Sequence, residues 1–349
     1  MAEASADGCS AVEETTGGPA SRASGAAATA RPTKFDRDTA VWRTPEGTGE
    51  HERDAHAEDG ERPAAGEQAV FGAEVASDWR AGRGPHGGYL AAMLLRALMA
   101  SVRDPARAPR SLTIHYARAP EPGPVRITTT LEREGRSLST LSARMHQGDE
   151  LIALVLSAFS LPWSGPEISE VSMPRVAGAD RSREGLKLME HGPEFARHIV
   201  LQPRFEGRPL SGEQHPMLIR AWMGLAEPRA VDALSLAFFS DALIPAPYMR
   251  MREFSAVPTI DLTVHFRDRL GPAPAAARGA QRDSREGDGD APNGEHPQHD
   301  PHELVLAQTT SELVHDGFFV EDGLIWASDG TLLAHSRQLA IVVPFRASG

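Results

Sequence analysis

The chain has 349 residues, 40% of them hydrophobic, and a formal net charge of −12 at pH 7, which leaves room for about two domains or one large one. Its single cysteine, Cys9, sits in a polar tract, which excludes a disulfide framework and a thiolate metal site. Residues 1–33 hold four acids and two bases, 46–67 eight and two, and 271–300 six and three. Nearly all the acidity therefore lies in segments poor in large apolar residues, which favours solubility and argues against a folded nucleic-acid-binding surface.

The start, MAEASADG, has no apolar run of a secretory signal, and no later stretch is long enough to span a bilayer. The expected compartment is the cytoplasm. Residues 1–33 read as a disordered tail. Residues 35–44 alternate like an early strand with 70–79 as its partner, and the acidic stretch 46–67 between them reads as an insertion. Residues 84–102, GPHGGYLAAMLLRALMASV, are the most distinctive run. From Gly87 onward they carry one charge, Arg96, so a helix here is covered on most sides by other protein. Pro85, Gly87 and Gly88 leave N–H groups open at its positive end, where a polarised carbonyl or an anion could sit. Strands follow at 111–116, 125–133, 137–145 and 151–161, with turns at Glu121-Pro-Gly-Pro and Gln147-Gly-Asp. This first unit covers 34–163, and the polar residues 164–189 form a linker.

A second unit, 190–346, repeats the plan. It has a strand near 217–223 and an apolar helix over 228–243, with Pro228 at its first position. A strand at 258–266 follows, then a disordered insertion at 271–300, then two or three strands within 304–337 with a turn at Ser328-Asp-Gly. SLTIHY at 111–116 and DLTVHF at 261–266 share Leu, Thr and His, and each follows an apolar helix. Glu134-Gly135 and Asp316-Gly317 also correspond once the 271–300 insertion is allowed for. An internal duplication is the preferred organisation. The fold class is then α+β, with one long helix wrapped by an antiparallel sheet, twice over.

That plan resembles the double hotdog fold, and more specifically the type II acyl-CoA thioesterases and related thioesterase-like proteins. The resemblance is carried by Trp79 with Gly84-Pro-His-Gly-Gly-Tyr89, by Pro109-Arg-Ser-Leu-Thr-Ile-His-Tyr116 and by Gly135-Arg-Ser. In the second unit it is carried by Phe239-Ser-Asp-Ala-Leu, Pro258-Thr-Ile-Asp-Leu-Thr-Val-His-Phe and Leu332-Leu-Ala-His-Ser-Arg-Gln338. It implies hydrolysis of acyl-CoA by a water held by Asp241, Thr259 and Gln338. It also implies substrate contact at Gly87, Gly88 and Tyr89, no metal or organic cofactor, a place in lipid metabolism, and a possible homo-oligomer of double-hotdog protomers.

Physical arguments stand beside the resemblance. Asp241 falls in the last turn of an apolar helix, where the dipole disfavours a carboxylate and makes it a better proton acceptor; read alone, it is equally a solvated aspartate. Thr259 opens a strand on the face opposite Ile260, Leu262, Val264 and Phe266, where threonine is also an ordinary strand residue. Gln338 lies in an apolar run and needs buried partners, unless it projects from the opposite face into solvent. The N–H groups of Gly87 and Gly88 are the expected oxyanion donors. Arg118 and Arg136 are candidates for the coenzyme phosphates, His86 for a helix cap, and His115 and His265 for structural positions. A hotdog protein that binds acyl thioesters or another apolar ligand without turnover is the alternative. A hydratase would want an acid or His within 90–102, and neither occurs there.

Overall fold

Local capping sets the first element. Thr33 accepts from the Asp36 N–H and starts helix α1, Lys34–Asp38. The strand expected over 35–44 is thus a helix followed by a short strand β1, Val41–Arg43. Its alternation reflects Phe35 turning into the core against Trp79 and Phe238. The computed structural model describes residues 31–45, 66–82, 84–180, 182, 192–267, 300 and 302–344. Cys9, nearly all of the expected tail and insertions, and the end of the expected linker lie outside the described residues.

The first unit continues with β2 (Gln68–Val75), β3 (Arg80–Ala81), β4 (Gly84–Pro85), helix α2 (Gly87–Ser101), β5 (Ala108–Tyr116), β6 (Gly123–Glu134), β7 (Leu138–Gln147) and β8 (Glu150–Ser160). Residues 161–180 have no regular structure. The second unit holds β9 (Ile199–Pro203), β10 (Leu218–Leu225), helix α3 (Ala233–Phe239), β11 (Ser255–Ala256), β12 (Thr259–Phe266), β13 (Val305–Thr310), β14 (Val314–His315), β15 (Phe318–Trp326), β16 (Leu332–Ile341) and β17 (Val343–Pro344).

α3 is shorter than expected and does not begin at Pro228. Asp232 and Ser235 close a reciprocal capping box, with Ser235 N–H donating to Asp232 Oδ1 at 3.0 Å and Asp232 N–H to Ser235 Oγ at 2.9 Å. The helix therefore starts where its first N–H groups are satisfied. After it, Ala246–Met249 form a separate 3₁₀ turn.

Thirteen strands make one antiparallel sheet, in the order β1-β2-β6-β7-β8-β5-β12-β16-β15-β13-β10-β9 with β14 beside β15. The order reads the same from either end if β2, β5, β6, β7 and β8 are matched to β10, β12, β13, β15 and β16. The halves meet where β5 pairs with β12, and there Thr113 lies opposite Thr263, with their hydroxyls 3.2 Å apart. The duplicated motifs thus pair with each other about a pseudo-twofold axis.

α2 lies inside its half of the sheet. Leu90, Met93, Leu94, Leu95 and Leu98 are buried, each stabilising the fold by about 1.5–3 kcal/mol. Its one charge, Arg96, is buried but paired, donating to Thr39 Oγ1 at 2.8 Å and Asp36 Oδ1 at 3.2 Å. Arg229 joins the same group, donating to Asp36 and gripping both oxygens of Asp232 at 2.7 and 2.8 Å. Burial opposes the charge of Asp232, and Arg229 overrides it, holding that carboxyl below the usual range. Each half is a sheet wrapped on one helix, which is the double hotdog architecture. No helix among the described residues is long and apolar enough to cross a membrane.

Candidate active site

The pseudo-twofold axis sets α2 and α3 against each other, and Gly88 is where they touch. A Cβ on Gly88 would lie 2.4 Å from the Phe238 carbonyl oxygen, so only glycine lets the two backbones come this close. The chain turns out of α3 at Ser240, and Asp241, just beyond, drops onto the first turn of α2. Its Oδ2 accepts from the Gly88 N–H at 2.9 Å. The carboxylate thus sits at the positive end of a fifteen-residue helix, which favours the anion and offsets the field at the end of the short α3. Its side chain is 10% exposed, so a small reactant can reach it.

His86 stands at the N-cap of α2 without a side-chain capping bond, contrary to the expected capping role. Its Nε2 instead donates to the Asp241 carbonyl at 3.0 Å. The ring packs against Phe195 and Phe238 in tilted contacts, and burial pushes the imidazole below its usual range despite the nearby Asp241 charge. It is a neutral donor that pins the backbone of Asp241. Nδ1 is buried without a partner.

Thr259 reaches the same place through a break in regularity. The β12–β16 register shifts between Thr259 and Asp261, so Ile260 bulges and Thr259 pairs with Ala340. Strict alternation would put Thr259 on the outer face. The bulge turns it inward onto the face of Leu262 and Gln338, a common use of bulges. Its hydroxyl lies 3.1 Å from Asp241 Oδ1 and 3.2 Å from Gln338 Oε1. Gln338 shares its face with the buried Ser336 and Ala340, so it points inward. The structure brings Asp241, Thr259 and Gln338 together from the turn after α3, from β12 and from β16.

Sequence reasoning missed what stands behind Gln338. Glu321 of β15 is directly opposite it and 3% exposed. One carboxyl oxygen accepts from Gln338 Nε2 at 3.3 Å, the other from the Ala246 N–H at 2.7 Å. Burial, reinforced by the Asp241 charge, pushes this carboxyl up to about 7. The signal was legible: Phe319, Glu321, Gly323 and Ile325 alternate onto the buried face, and an acid in that series needs an explanation.

The remaining expectations fare differently. Gly88 N–H is taken by Asp241, so of the two glycines Gly87 is left as a candidate oxyanion donor; its carbonyl accepts from Tyr116 at 2.9 Å. Tyr89 does not line the site. It is fully buried, stacks on Trp79 at 5.1 Å and donates to the Asp38 carbonyl, because the second helical residue after Gly87 points away from Asp241 into the first half. Arg118 pairs with Glu150 at 2.9 Å on the surface, and the Arg136 carbonyl accepts from Arg107 at 3.3 Å. His115 and His265 lie exposed on β5 and β12. Among the described residues, no cluster of His, Cys, Asp and Glu could hold a metal ion.

The architecture is shared with solved proteins. A hotdog-fold protein from Alicyclobacillus acidocaldarius superposes with a TM-score of 0.66 at 21% identity, covering 89% of this chain and 98% of its own. An acyl-CoA thioesterase II from Mycobacterium marinum superposes at 0.56 and 18% identity, covering 80% and 93%. At these identities the likeness concerns the fold. An uncharacterised protein of Mycobacterium tuberculosis is 25% identical over 224 residues, 57% of this chain and 75% of its own length. The class is therefore the double hotdog proteins. Family models for the acyl-CoA thioesterase N-terminal and C-terminal domains match residues 75–160, and residues 173–290 with 295–342. The chain belongs to the acyl-CoA thioesterase family, and as an enzyme it is a thioester hydrolase.

Proposed function

We propose that the protein hydrolyses acyl-CoA to a free acid and coenzyme A, with Asp241 as general base and Thr259 and Gln338 orienting the water. The observation that carries this is one chain of hydrogen-bonding groups, Gly88 N–H, Asp241, Thr259 and Gln338, drawn from α2, the turn after α3, β12 and β16. Held at a helix start and by Thr259, Asp241 keeps one geometry while it takes a proton from water. The water oxygen attacks the thioester carbonyl carbon, and the oxyanion forms beside the Gly87 N–H. Collapse breaks the carbon–sulfur bond, and the departing thiolate recovers the proton from Asp241.

The test is thiol release from a panel of acyl-CoAs, short to long and aromatic, with Asp241→Asn alongside. The variant keeps the size and hydrogen-bonding reach of the side chain but not its basicity. It should lose about 10²–10⁴-fold in kcat, the usual contribution of a general base. Absence of cleavage by the parent, or a variant as fast as the parent, overturns the reading and leaves a binding protein.

A further inference from the structure

Glu321 takes no part in the bond-making steps above, yet its partners lead directly to them. The alternation of β15 buries it, the register sets it opposite Gln338, and its two oxygens are engaged by the Gln338 amide and the Ala246 N–H. From the elements around it, the Asp241 carboxylate and the Thr309 hydroxyl act on it, and the charged group whose field is felt is another anion. A carboxyl left in such a place costs stability.

We propose that Glu321 is a positioning residue: its carboxylate holds the Gln338 amide with the carbonyl toward Thr259 and Asp241, and neutralising it turns the amide over. This rests on the hydrolytic role given to Asp241. A primary amide has a donor end and an acceptor end, whereas an ionised carboxylate only accepts. Charged Glu321 therefore draws the Gln338 NH₂ group and leaves Oε1 facing the site. A protonated Glu321 donates instead, so the amide reverses and presents NH₂ to the site.

Only the first arrangement suits the reaction. The attacking water gives one hydrogen to Asp241, and an acceptor for the other leaves both lone pairs of its oxygen available, one of them to the carbonyl carbon. Gln338 Oε1 is that acceptor. Thr259 has one proton, and the Asp241 carboxylate is its stronger acceptor. That leaves Thr259 Oγ1 and Gln338 Oε1 as two acceptors 3.2 Å apart, a contact that a water hydrogen relieves. A reversed amide would donate into one of those lone pairs and draw electron density from the attacking oxygen. Burial and the Asp241 charge push the Glu321 carboxyl up to about 7, so the change of state falls within an ordinary assay range.

The experiment is the pH dependence of kcat, using the acyl-CoA cleaved fastest in the panel, for the parent, Glu321→Gln, Gln338→Ala and the double variant. In Glu321→Gln the carbonyl must still accept from Ala246, so its NH₂ faces Gln338 and forces the reversed amide. The parent should show kcat rising along a limb centred near 7. Glu321→Gln should lose that limb, run at roughly a tenth of the parent rate or less above it, and keep KM within about threefold. In the Gln338→Ala background, Glu321→Gln should change kcat by less than about twofold, because the coupling partner is gone. A Glu321→Gln protein with the parent's rate and limb, while Asp241→Asn is inactive, overturns this inference and leaves the thioesterase reading standing. A loss that persists undiminished in the Gln338→Ala background, or that accompanies a lowered Tm, marks a structural role and also overturns it. No turnover by the parent removes both.

Discussion

Gly88→Ala is the sharpest perturbation of the contact between the two helices. The new Cβ lies 2.4 Å from the Phe238 carbonyl oxygen and 3.0 Å from Phe238 Cα, so backbone must yield by about 1 Å to restore ordinary contact. Overpacking of this kind costs about 1–3 kcal/mol, and replacing glycine by alanine within a helix returns about 1 kcal/mol. The net loss of up to about 2 kcal/mol lowers Tm by at most a few degrees. Catalysis should suffer more. The Gly88 N–H to Asp241 bond of 2.9 Å opens with the same movement, and a displacement of about 1 Å at a reacting group costs on the order of 100-fold. Gly87→Ala is the control. Its Cβ meets side-chain atoms instead of backbone, Asp241 Oδ2 at 2.8 Å and the Tyr116 ring at 3.4 Å, so Tm should change less while kcat falls with the displaced carboxylate. The assay is thiol release beside thermal melting. Gly88→Ala with the parent's kcat and Tm would refute the view that helix contact places the carboxylate.

Two further predictions concern buried charge. Arg229→Met leaves Asp36 and Asp232 without their shared partner, and breaking a buried pair from one side costs about 3–5 kcal/mol, to be read as a lowered midpoint in urea unfolding. For Glu321 the sign follows from linkage. Its carboxyl titrates near 7 in the fold and near its ordinary 4.5 when unfolded. Between those values the folded state binds more protons, so stability is greatest below 4.5, falls as pH rises through the window and levels off above about 7. At 1.36 kcal/mol per pH unit the upper limit is about 3 kcal/mol. Glu321→Gln should remove that fall, so its Tm advantage over the parent grows with pH across the window; parallel curves would refute it.

Local signals carried most of the fold. The apolar run after Gly87 gave α2, and period-two alternation gave β5, β6, β7 and β8 to within a few residues, because those patterns answer to each element's own burial. Helix α3 was misplaced because its cap is Asp232 with Ser235, whereas Pro228 was an acceptable start by propensity alone. Thr259 shows the limit of alternation. Its inward direction comes from a bulge at Ile260 that is set by pairing with β16, a tertiary fact. Gly87 and Gly88 were read as open donors, and the contact that takes the Gly88 N–H comes from Asp241, more than 150 positions along the chain. Glu321 needed no tertiary information, only the alternation of β15 carried through to its acidic member.

The near-symmetry of the sheet raises the question of why the site occurs once. Matching registers about the axis sets Pro109 where Thr259 stands, Ser157 where Gln338 stands and Leu141 where Glu321 stands. Proline has no hydroxyl, the Ser157 hydroxyl is spent on the Ser111 carbonyl at 2.6 Å, and Leu141 is fully buried. Two residues beyond α2, where Asp241 stands beyond α3, the chain has Arg103. The helix starts differ in the complementary sense. α3 is capped by its own Asp232, whose carboxylate takes the Ser235 N–H and already stands at that helix start. α2 has His86 at its N-cap with no side-chain capping bond, so its start is free to receive a carboxylate from the other half. One half thus supplies the helix terminus and the other supplies the base, the threonine and the glutamine. The group exists only where both halves are folded and paired through β5 and β12, so the tandem arrangement is a condition of the chemistry as well as of the fold.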